Sequence, residues 1–143
     1  MIQTLSLDQV AHVIALATAP AFLLGAVVNL LALLVGRMAR VTDRVRTLYE
    51  IEEGDERCAR LRADLPRLHR RGKLLHASML LSIGSGGLTA LIVVIAFMGA
   101  LSSTQVEVPV AVLFVTSLLL FVGALWFLGH EALVALGEFK HHI

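Results

Sequence analysis

A single cysteine, Cys58, excludes an intrachain disulfide and matches no metal-ligand spacing. Charge is scarce as well. Only 16% of the 143 residues are Asp, Glu, Lys or Arg, against about 25% in a water-soluble domain, while 57% are hydrophobic and the mean hydropathy is +0.83. Three stretches lack those four residue types altogether: Ala11 to Gly36, Leu74 to Leu101 and Val108 to Gly129. Each is long enough to cross a hydrocarbon core, which needs about 20 helical residues. Three segments cannot close a barrel, and in lipid only helices or closed barrels satisfy their backbone groups, so three transmembrane helices are expected. The length leaves no room for a large soluble catalytic unit or a nucleic-acid-binding module. Met1 to Val10 carries no Lys or Arg and includes Asp8, so a cleavable signal peptide is not expected.

What charge there is has been segregated. Of the 12 Lys and Arg residues, 11 fall between Arg37 and Lys73, and the Ser102 to Val108 loop has none. By the positive-inside rule the basic segment is cytoplasmic, the N-terminus outside and the C-terminus, with Lys140, inside. Within that segment Val41, Val45 and Leu48, then Cys58, Leu61, Leu65 and Leu68, recur at helical spacing around a turn signal at Glu52-Glu53-Gly54-Asp55. The expectation is an all-α membrane protein forming a single membrane domain. Its spans would lie near 11–36, 74–101 and 108–129, with an antiparallel cytoplasmic helical hairpin over about 37–73. Ser6-Leu7-Asp8-Gln9 reads as a capping box that starts the first helix near Leu7. Pro20 falls inside that helix, and Pro109 suits the first turn of the third. Pro66 either kinks the second hairpin arm or marks a helix restart capped by Asp64.

The run NLLALLVGRMARVTDRVRTL from Asn29 to Leu48, followed by LRADLPRLHRR from Leu61 to Arg71 and a serine-bearing second span, resembles the bacterial DUF2721 family of small integral membrane proteins. The most specific part is R-x-x-R-V-x-D-R-x-R-x-L from Arg37 to Leu48. The resemblance implies the three-span architecture and a bacterial inner-membrane location. The family has no assigned function and so implies no catalytic or binding residue.

Three features are candidates for function. Ser78, Ser82, Gly86 and Ala90 form an i, i+4 stripe of small residues on span two, a surface for close helix packing within the chain or between copies. Asn29 is the one amide in a span; its depth matches that of Ser82, and an interhelical hydrogen bond between them is expected, with a pore-facing role as the rival. Arg37, Arg40, Arg44 and Arg46 could contact anionic lipid headgroups; the plainer reading is topology control with Asp43 paired to Arg40 or Arg46. His130-Glu131 and the histidine tail lack fixed metal-ligand spacing, and Glu131 is expected to be solvated or paired with Arg37 or Lys73. No nucleophile, zinc or phosphate-loop motif is present. The reading is therefore a non-enzymatic, oligomeric or accessory inner-membrane component without cofactor or nucleic-acid partner, in contact with membrane lipid. The alternative is a small homo-oligomeric channel.

Overall fold

The computed structural model describes residues 7–50, 63 and 65–141, without the side chains of 138–141. The described residues form three helices and no strand: α1 over Leu7–Glu50, α2 over Leu65–Leu101 and α3 over Glu107–His141. All three are long and apolar enough to cross a membrane. α1 is helical from the first described residue, Leu7, and the Ser6 cap of the expected capping box lies outside the described residues. The helix continues unbroken through Pro20 and past Arg37 to Glu50. α2 starts at Leu65, which puts Pro66 in a first turn, where its missing N–H is harmless. The Gly54 turn, Cys58, Leu61 and the Asp64 cap lie outside the described residues.

The chain divides into two compact units, Met1–Leu30 with Leu81–Val122, and Leu31–Leu80 with Gly123–Ile143. In the first, Ile92, Ala96 and Val110 form an apolar cluster against which Ile95, Val106, Leu113 and Phe114 pack. Val13, Leu23, Val27 and Leu30 of α1 are also buried. Here α2 passes into α3 through a tight turn in which Thr104 N–H donates to the Gly99 carbonyl at 3.0 Å and Ser103 N–H to that of Ala100 at 3.4 Å. That pair of bonds is a Schellman cap, and Ser103 takes the left-handed position at φ 55° that glycine usually fills. Gly99 is required by space: a Cβ there would lie 2.6 Å from the Val106 side chain. In the second unit the buried apolar residues include Leu34, Val41, Leu48, Leu68, Leu75 and Ala124.

The small-residue stripe departs from its predicted course. Ser78 and Ser82 are fully buried, but Gly86 is only partly so and Ala90 is exposed. The buried face of α2 runs instead through Ser78, Ser82, Ser85, Thr89, Ile92 and Ala96. Strict i+4 steps advance about 40° per step around a 3.6-residue helix, so the fourth member has rotated off the packed face. Alternating steps of four and three hold one face toward its neighbours.

Candidate buried polar sites

On α3 the buried residues Val110, Ser117, Ala124 and Glu131 recur every seven positions, so one face of the helix carries a hydroxyl and, two heptads further on, a carboxylate. Each meets a polar arrangement inside a different unit.

In the first unit Ser117 faces two hydroxyls of α2. The Ser85 Oγ donates to the Ser117 carbonyl at 2.8 Å, and the Ser117 Oγ donates to the Ser85 carbonyl at 2.8 Å. The Thr89 and Ser117 hydroxyls are 2.7 Å apart, and Thr89 Oγ1 donates to the Ser85 carbonyl at 2.7 Å. All three side chains are fully buried. Their reach into backbone carbonyls brings α2 and α3 close, which is what small polar residues do between membrane helices. Gly86 faces the other neighbour: a Cβ there would sit 3.2 Å from Val27 Cγ1 on α1, so the glycine that the sequence marks for packing packs against span one of its own chain.

In the second unit Glu131 is fully buried and held by two arginines from the other two helices. Arg37 Nε of α1 donates to Oε2 at 2.7 Å, and Arg71 Nε of α2 donates to Oε1 at 2.8 Å. The arginine side chains are 27% and 15% exposed, so each guanidinium is partly withdrawn from solvent. Close by, Ser78 Oγ donates to the Ala124 carbonyl at 2.7 Å. The expected pairing of Glu131 with Arg37 is present. Its second partner is Arg71 and not Lys73: the two differ by about 200° around α2, and Lys73 faces a groove between α1 and α2. The heptad spacing of Glu131 from Ala124 and Ser117 was the sequence signal for its burial.

The other predicted residues are dispersed. Asn29 lies on the exposed side of α1, in a shallow depression with Thr18, Ala21, Phe22, Gly25 and Ala26, whereas Ser82 is fully buried, so the expected Asn29–Ser82 pair does not form. Arg40, Arg44 and Arg46 are exposed, while Arg37 is committed to Glu131. Among the described residues no ion pair joins Asp43 to Arg40 or Arg46, and the Asp43 carbonyl accepts from Thr47 Oγ1 at 2.9 Å. His130 meets the Trp126 ring edge-on at 5.0 Å.

No curated protein and no solved structure is significantly similar to this chain. A family model, "Protein of unknown function (DUF2721)", matches residues 17–140, which include α2 and most of α1 and α3, and the chain therefore belongs to the DUF2721 family.

Proposed function

We propose that this protein is a non-enzymatic scaffold or accessory component of the bacterial inner membrane, assembled from copies of itself through the outer face of α1. Asn29 carries the reading. The exposed hydroxyls of Thr18 and Thr116 can face lipid because each donates to a carbonyl one turn back in its own helix, those of Ile14 at 2.7 Å and Val112 at 2.9 Å. A primary amide has two N–H donors and an acceptor to satisfy. On an apolar surface it gains most from a second amide, and two copies of Asn29 offer each other both halves of that pair. Beside it, a Cβ on Gly25 would meet nothing within 4 Å, which leaves room for a neighbouring backbone. The exposed Arg40, Arg44 and Arg46 support a cytoplasmic basic segment, with the N-terminus outside and the C-terminus inside.

The test is the mass of wild-type and Asn29→Leu protein in lipid nanodiscs and mild detergent. Wild type should be an oligomer. The variant should dissociate more readily, by about 0.6 kcal/mol per hydrogen bond lost, the average between membrane helices, and by no more than about 1.7 kcal/mol. A wild-type monomer at all concentrations would refute the proposal. An ion flux through reconstituted protein that Asn29→Leu abolishes would replace it with the channel reading.

A further inference from the structure

Between α1 and α2 the second unit carries a groove of about 500 Å³, within the range of small-molecule sites. α1 contributes Met38, Val41, Thr42 and Val45; α2 contributes Leu68 and the stretch from His69 to Leu80 that faces it. We propose that this groove binds an anionic phospholipid of the bilayer, with its phosphate held by His69, Lys73 and His76 and an acyl chain lying over Met38, Ala77 and Leu80.

Three observations carry the proposal, and none depends on self-assembly. First, His69, Lys73 and His76 stand at i, i+4 and i+7, so one face of α2 presents three nitrogen-bearing side chains over about 10 Å of rise. Among the described residues no acid lines the groove, and Glu131, a buried acid of this unit, is already occupied by Arg37 and Arg71. Lys73 is exposed and pairs with no acid among the described residues, so its ammonium can meet an anion. Second, polarity changes along the groove in the sense that a lipid requires. Its charged member, Lys73, comes just before the uncharged stretch that begins at Leu74, while Ala77 and Leu80 lie inside that stretch, about 6 and 10 Å further along. A phosphate at Lys73 would thus have its chains directed toward hydrocarbon. Third, Gly72 keeps the groove open: a Cβ at this position would meet nothing within 4 Å, although glycine is among the weakest helix formers.

The experiment uses the full-length protein, delipidated in mild detergent and titrated with fluorescent phosphatidylglycerol or phosphatidylcholine of identical chains. Phosphatidylglycerol should bind more tightly. Lys73→Gln should weaken it about fivefold, the effect of one basic residue near an anionic lipid surface, and leave phosphatidylcholine unchanged. Gly72→Leu fills the groove and should abolish saturable binding of both lipids without loss of helicity. Lys73→Gln is a substitution at an exposed position, so the test stays decisive if Gly72→Leu does not fold. Replacing Arg40, Arg44 and Arg46 together with Gln should change the affinity less than Lys73→Gln does. The proposal fails if Lys73→Gln binds phosphatidylglycerol as wild type does, or if the triple arginine variant loses binding that Gly72→Leu retains. It also fails if millimolar inorganic phosphate displaces the lipid, which would make this a site for the free anion.

Discussion

Glu131 has no solvent exposure, and removing a carboxylate from water costs several kcal/mol even after the surroundings relax. That cost is offset where each oxygen receives a guanidinium N–H, one from α1 and one from α2. Such a site is stable only when complete. Glu131→Gln would leave Arg37 and Arg71 facing each other without the carboxylate that joins them. Breaking a buried pair costs about 3–5 kcal/mol, and because both arginines keep some exposure we expect the lower end, about 3 kcal/mol, in denaturant unfolding monitored in micelles. Replacing all three residues with apolar ones of similar size, Glu131→Leu with Arg37→Met and Arg71→Met, should restore most of that loss. If Glu131→Gln unfolds at the wild-type denaturant concentration, the cluster contributes nothing to stability. The sequence made Arg37 a candidate partner because charge at a span end is visible by position. Choosing Arg71 over Lys73 required knowing which side of α2 faces α3.

Helices and their connections depend on where a side chain has room, and the glycines offer a graded test. Gly99→Ala would place a Cβ 2.6 Å from Val106 in the α2–α3 turn, Gly86→Ala would place one 3.2 Å from Val27, and at Gly36 there is nothing within 4 Å. Thermal unfolding should therefore rank them. Gly99→Ala should lose about 1–3 kcal/mol by overpacking, Gly86→Ala should fall near zero as crowding offsets helix propensity, and Gly36→Ala should gain up to about 1 kcal/mol. Equal effects at Gly99 and Gly36 would mean that the turn can shift at no cost. The helices themselves were legible, since length and apolarity dictate them in lipid. The buried seam of α2 was not, because small residues satisfy both an i, i+4 stripe and a 4-3-4-3 face, and only contact with neighbours separates Ser85 and Thr89 from Gly86 and Ala90.

Among the described residues, the helices bury polar side chains beside apolar ones and leave many large apolar side chains outside. Ser78, Ser82, Ser85, Thr89, Ser117 and Glu131 are fully buried, while Phe22, Leu80, Val94, Leu119 and Trp126 are exposed. Among lipid tails an exposed leucine costs nothing and an exposed carboxylate a great deal, so this distribution is the one a bilayer selects. The proposed orientation can be read with the chain's own probe. Cys58 lies in the basic segment, so a membrane-impermeant maleimide should leave it unlabelled in sealed cells and label it after permeabilisation. Labelling of sealed cells would reverse the topology.

The sequence by itself determined that the chain is helical, that three segments can cross a membrane and that its basic residues gather between the first two. Those properties follow from summed hydropathy and backbone hydrogen bonding, which depend on composition along the chain and not on partners. Tertiary structure decided which polar groups face inward. It buried Glu131 between two arginines, joined Ser117 to Ser85 and Thr89, turned Asn29 outward, and left Lys73 over an open groove. These outcomes depend on helix rotation, and a change of two residues in register, about 200°, moves a side chain from one neighbour to the opposite face.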